Sequence, residues 1–131
     1  MTETSHRLLN PKSAPPAFSP YSQGVEVSGA RRWLHVSGQV GVTPNGLLVE
    51  GAEGQMRQTW VNVLAILAEA GMTAEHLVKI TAFLTRAEDV GSYRIVRDDI
   101  LAGAKPASTL ILVAGLAHSD WLIEIEAVAA A

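Results

Sequence analysis

Two stretches with apolar residues at helical spacing, set among stretches that alternate, constrain this chain more than any other feature of it. In residues 53–70, Met56, Trp60, Val63, Leu64 and Leu67 fall on one face of a 3.6-residue repeat, and Gly71 stands where a C-terminal glycine cap belongs. Residues 88–102 repeat the pattern with Val90, Tyr93, Val96 and Ile100 facing inward, and Gly103 ends it. The flanking segments read as strands. Val25 and Val27 alternate with Glu26 and Ser28. In residues 33–40, Leu34, Val36 and Val40 share one face, and Trp33, His35, Ser37 and Gln39 share the other. Ser28-Gly29-Ala30-Arg31 between them predicts a turn and an antiparallel hairpin. Pro44-Asn45-Gly46 marks another turn, with a third short strand over 47–49. In residues 77–84, Val78, Ile80, Ala82 and Leu84 share a face. Residues 109–113 are continuously apolar and predict a buried strand, and residues 121–128 predict the last one. This order predicts an α+β fold: one mixed sheet with both helices packed on one face, in a single domain over 1–131. The first 20 residues hold four of the six prolines, so residues 1–19 are expected to be irregular.

The second face of such a sheet needs cover. His35, Ser37, Lys79, Thr81, Glu124 and Glu126 make it partly polar, with aromatic residues interspersed, which suits a subunit interface. Charged residues are 18% of the chain, low for a small domain with a high surface-to-volume ratio. An interface accounts for that, and so would a monomer with a neutral polar surface. The net charge of −3, without a basic stripe, argues against a nucleic-acid partner. Without cysteine there is no disulfide or thiolate chemistry. No apolar run approaches the ~20 residues of a membrane span, and the polar N-terminus lacks a signal-peptide core, so no membrane partner and a cytoplasmic location are expected.

Motifs for familiar chemistries are missing. His6, His35, His76 and His118 are not paired at ligand spacing, so no metal site is expected. Neither a dinucleotide nor a P-loop glycine pattern occurs, nor a nucleophile elbow, and no cofactor is expected. Glu124 and Glu126 share a strand face, flanked by Ile123, Ile125 and Ala127. A carboxylate held among apolar groups suits general acid or base work, whereas a solvated strand face would carry two ordinary carboxylates. Tyr21, in Ser19-Pro20-Tyr21-Ser22, can offer its hydroxyl to a ligand or cap the sheet edge. Ser37, with one glycine neighbour, reads as a small strand-end residue.

Taken in order, five segments resemble one family. They are Ser19-Pro20-Tyr21-Ser22-Gln23-Gly24, then Val36-Ser37-Gly38-Gln39, then Arg57-Gln58 with Asn62 and Ala70-Gly71, then Val78-Lys79 with Phe83-Leu84, and finally Ile123-Glu124-Ile125-Glu126-Ala127. The chain resembles the RidA family, also called YjgF or liver perchloric-acid-soluble protein, from about Pro20 to Val128. The resemblance implies a chorismate-mutase-like fold and a homotrimer whose sheets form an inner barrel with three pockets between neighbouring subunits. It also implies cofactor-free hydrolysis of reactive imines or enamines to keto acids and ammonia. Tyr21, Ser37 and Glu124 match the family's pocket residues. In that reading Glu124 positions or activates water, while Tyr21 and Ser37 place the substrate.

Two departures stand out. Deaminase members carry an arginine in P-A-R-S/T that grips the substrate carboxylate, whereas this chain reads Pro106-Ala107-Ser108-Thr109, with Ser108 at the arginine position when aligned without gaps and Ala107 there in a shifted register. A hydroxyl cannot replace a guanidinium, and losing such a charge-assisted pair costs roughly 1.5–3 kcal/mol. The family's pocket asparagine on the second helix aligns with Arg94. In one reading Arg94 supplies the missing cation from another direction. In the other, the substrate lacks a carboxylate, or the trimer binds a small-molecule ligand or regulates without turnover. Ribonuclease activity, assigned to some members, is disfavoured by the acidic charge.

Overall fold

The computed structural model describes residues 3–131. Its centre is a four-stranded mixed sheet of order β3-β6-β4-β5, formed by β3 (Trp33–Val40), β6 (Ile123–Ala130), β4 (Leu77–Leu84) and β5 (Ala107–Leu112). β6 runs antiparallel to both neighbours, and β4 pairs in parallel with β5. The parallel pair needs a crossover, which α2 (Val90–Leu101) provides. α1 (Ala52–Glu69) joins it, so that two helices pack on the mixed sheet as expected.

α1 forms where the apolar period predicts, and Met56, Trp60, Val63 and Leu67 are fully buried. Its end is a Schellman closure. Gly71 has φ 72°, its N–H donates to the Ala68 carbonyl at 2.9 Å, and the Met72 N–H donates to the Leu67 carbonyl at 2.8 Å. Its start is pinned by Gln55, whose Nε2 donates to the Asp120 carbonyl and whose Oε1 accepts from the Leu122 N–H. This amide fixes the chain just before β6 begins. Under the helices, Ile80, Ala82, Leu84, Ile123, Ile125, Ala127 and Ala129 form the sheet side of one core.

Four expectations are corrected. Residues 5–9 are not irregular: β1 (Ser5–Leu9) pairs antiparallel with β2 (Gly24–Ser28) as a separate ribbon, which His6 ties to β6 by a 3.0 Å hydrogen bond to the Ala130 carbonyl. β2 and β3 do not form a hairpin. β3 instead pairs with β6, from Trp33↔Ala130 to Val40↔Glu124, because β6 offers a longer strand with an apolar face. Residues 47–49 form only an isolated Val42↔Leu48 bridge. β5 is not buried: it lies at the sheet edge, with Ile111 39% and Leu112 51% exposed.

Candidate functional site

The Pro20–Ser22 region is fixed against the start of β5. The Ser22 N–H donates to the Pro106 carbonyl at 3.2 Å, and Ser22 and Ala107 form a parallel bridge. This docking places Tyr21 beside Ser108. Helix α2 adds Arg94 and Arg97. Together Phe18, Ser19, Tyr21, Arg94, Arg97, Ser108 and Leu110 line a cavity of about 180 Å³. Three of the residues singled out in the sequence, Tyr21, Arg94 and Ser108, therefore line one cavity.

Arg97 is the residue that sequence reasoning missed. It stands three residues from Arg94 on α2 and is only 3% exposed. Its Nη2 donates to Ser19 Oγ at 3.1 Å, and Nε and Nη2 lie 3.0 and 2.9 Å from Asp98 Oδ1. Its guanidinium sits 5.8 Å from the centroid of the Tyr93 ring. The signal was present: residues three apart in a helix share a face, so Arg94 and Arg97 can serve one cavity. Arg94 makes no ion pair among the described residues, whereas Arg97 is paired with Asp98. The cavity thus carries about one net positive charge, suited to a monoanion such as a carboxylate.

Tyr93, behind this wall, is fully buried, and its hydroxyl has no partner among the described residues. Burial pushes its phenol well above the usual tyrosine range, Arg97 opposes that shift, and Asp98 adds to it.

Ser37 and Glu124 lie elsewhere. The face of the sheet turned away from the helices holds an open depression of about 360 Å³ lined by residues that include His35, Ser37, Lys79, Thr81 and Glu126. Lys79 donates to Thr109 Oγ1 there, and burial lowers its ammonium below the usual lysine range. At the Ser37 end a register shift between Val36 and Gln39 bulges β3. The bulge exposes the backbone at Gly38, and the half-buried Glu124 lies against it: a Cβ on residue 38 would stand 2.6 Å from Glu124 Oε2. Glycine at 38 is what allows the carboxylate to lie there. Glu124 has no ion-pair partner among the described residues. Neither Ser37 nor Glu124 lines the Arg94 cavity. Within one chain the predicted residues therefore fall in two places: Tyr21, Arg94 and Ser108 line one cavity, while Ser37 lines the depression on the sheet face and Glu124 lies against Gly38 beside it. Among the described residues no cluster of three or more potential metal ligands occurs, and no helix is long and apolar enough to cross a membrane.

Residues 11–131 match the family model described as Endoribonuclease L-PSP. A RutC family protein of Aquifex aeolicus is 38% identical over 126 residues, covering 93% of this chain and 98% of the relative. The 2-iminobutanoate/2-iminopropanoate deaminase of Mus musculus is 32% identical over 131 residues, covering 98% and 94%. Among solved structures, the Rid-family protein YyfB of Yersinia pestis, described as of unknown function, superposes with a TM-score of 0.88 at 31% identity, covering 96% and 98% of the two chains.

Proposed function

This chain belongs to the RidA (endoribonuclease L-PSP) family, and on that premise we propose that it hydrolyses the imine of a small carboxylic acid in pockets closed between the subunits of a homotrimer. The observation that carries the reading is the cavity lined by Arg94, Ser108 and Tyr21, in which Arg94 has no ion pair among the described residues. A guanidinium there can grip a substrate carboxylate through two parallel hydrogen bonds, although the residue aligned with the usual arginine is a serine.

The reaction needs little else. Water adds to the C=N carbon to give a carbinolamine. The C–N bond then breaks, ammonia leaves, and the carbonyl of the keto acid forms. Glu124 takes a proton from the attacking water and returns one to the departing nitrogen. For that, the Glu124 half-site of one subunit must face the Arg94 half-site of another. The exposed β5 edge and the uncovered sheet face support such packing, since closed cyclic assembly would cover both. Ser37, next to Gly38, would place the substrate against Glu124.

Ammonia release from imino acids generated in situ by an amino-acid oxidase tests the reading. The protein should accelerate it, and Glu124→Gln should abolish the acceleration. An equal rate in the variant would remove Glu124 from the mechanism.

A second reading, ligand binding without turnover, is favoured by one observation: Glu124 does not reach the Arg94 cavity of its own chain. Tight binding of 2-keto acids by a protein that releases no ammonia would select it. Ribonuclease activity fits worst, because the net charge is −3 and the two arginines sit in a cavity too small for a nucleic-acid backbone.

A further inference from the structure

We infer that Arg97 is a positioning residue that sets substrate size, by holding Ser19 so that the Phe18–Tyr21 strap walls off the Arg94 cavity. The inference rests on the proposed carboxylate-binding role of that cavity. Taking a guanidinium out of water is costly, and at neighbouring inward positions α2 uses Tyr93, Val96 and Leu101 instead. Among the described residues, the only side-chain hydrogen bond that Arg97 makes outside its own helix is to Ser19 Oγ, at 3.1 Å and 78 residues away in sequence.

The strap has few other attachments. Ser22 is tied to Pro106 at one end. Phe18 is 80% exposed, and its N–H makes a long 3.4 Å bond to the Tyr21 hydroxyl. Between these points Ser19 is the anchor. Ser19 and Tyr21 line both the cavity of about 180 Å³ that holds Arg94 and a neighbouring one of about 590 Å³ lined by Asn10, Lys12, Gln23 and Lys105 among others. The strap is therefore the partition between a small compartment and a large one. With the Arg97–Ser19 bond in place, the compartment beside Arg94 admits a short side chain. With the bond lost, the partition can yield toward the larger cavity.

The experiment measures the affinity of 2-oxobutanoate and of 2-oxooctanoate by calorimetry for the wild type, Ser19→Ala, Ser19→Thr, Arg97→Met and Arg94→Ala, alongside thermal unfolding of each. Ser19→Ala should weaken 2-oxobutanoate by about tenfold and narrow the preference for the shorter acid, since a hydrogen bond to a charged donor is lost. Ser19→Thr, which keeps the oxygen, should restore both. Arg97→Met should match Ser19→Ala in preference, and Ser19→Ala stands alone if Arg97→Met does not fold. Wild-type affinity and preference in Ser19→Ala, while Arg94→Ala loses binding, would overturn the strap inference and leave the carboxylate site standing. Unchanged binding in Arg94→Ala, or no binding of either acid by the wild type, would overturn the carboxylate site and the strap with it.

Discussion

Gly38→Ala removes no functional group, yet it should disable the protein nearly as effectively as a catalytic substitution. The added methyl carbon would stand 2.6 Å from Glu124 Oε2, 2.7 Å from Cδ and 3.0 Å from Cγ. Optimal contact between such atoms begins near 3.5 Å, so the carboxylate must retreat by roughly 1 Å. The side chain is half-buried and terminates in rotatable bonds, so it can move, and the fold should tolerate the change. A misplacement of about 1 Å at a reacting group can cost on the order of a hundredfold in rate. The expected result is therefore a fall in imine hydrolysis of about that size, with a urea unfolding midpoint close to that of the wild type. Gly38→Ala at full rate beside an inactive Glu124→Gln would mean that the carboxylate acts from a position other than the one it occupies against the β3 bulge.

Arg94→Ala should weaken 2-keto acid binding by about tenfold to a hundredfold, the worth of a charge-assisted pair, as measured by calorimetry. Ser108→Arg should lower affinity for 2-keto acids in the same calorimetry, because Arg94 already fills the carboxylate-gripping role and a second guanidinium crowds a cavity of about 180 Å³. Tyr93→Phe removes a buried hydroxyl that has no partner among the described residues, and should stabilise the protein by about 1 kcal/mol at neutral pH in urea unfolding. The same variant should flatten the alkaline limb. The unfolded phenol ionises above about pH 10 while the folded one, raised by burial, holds its proton, so wild-type stability falls as pH rises past that point. Leu67→Ala should cost about 2–5 kcal/mol, because a fully buried side chain at the end of α1 is replaced by a cavity.

What the sequence made legible was local. The two helices, β4 and β6 follow from spacing within each segment, and their apolar faces became the core. What it hid was decided at a distance. Residues 24–28 and 33–40 have the pattern of a hairpin, but β3 finds a better partner in β6, at the far end of the chain, while β1 takes β2. The apolar run over 109–113 reads as buried, yet strand order places it at an edge, and strand order is not written in hydropathy. Arg97 shows the same limit within the site. An arginine three residues from another looks like a solvated helix face until the Phe18–Tyr21 segment crosses over it. Tyr21, Arg94 and Ser108 were each picked out by resemblance, and the docking of Ser22 on Pro106 explains why they meet. Ser37 and Glu124 were picked out the same way. Their separation from the other three could not be read from one chain's sequence, because it is a property of where the sheet ends.

In the proposed trimer the Arg94 cavity of one subunit is completed by Glu124 of another. Glu124→Gln, inactive alone, and Arg94→Ala, weakened in binding, should be unfolded together in urea, refolded as an equal mixture, and assayed for ammonia release at a substrate concentration too low for Arg94→Ala alone to turn over appreciably. Random assembly into closed rings joins an intact Glu124 to an intact Arg94 at about one interface in four, so the mixture should recover about a quarter of wild-type activity. A mixture no more active than the two variants measured separately would contradict a site shared between subunits.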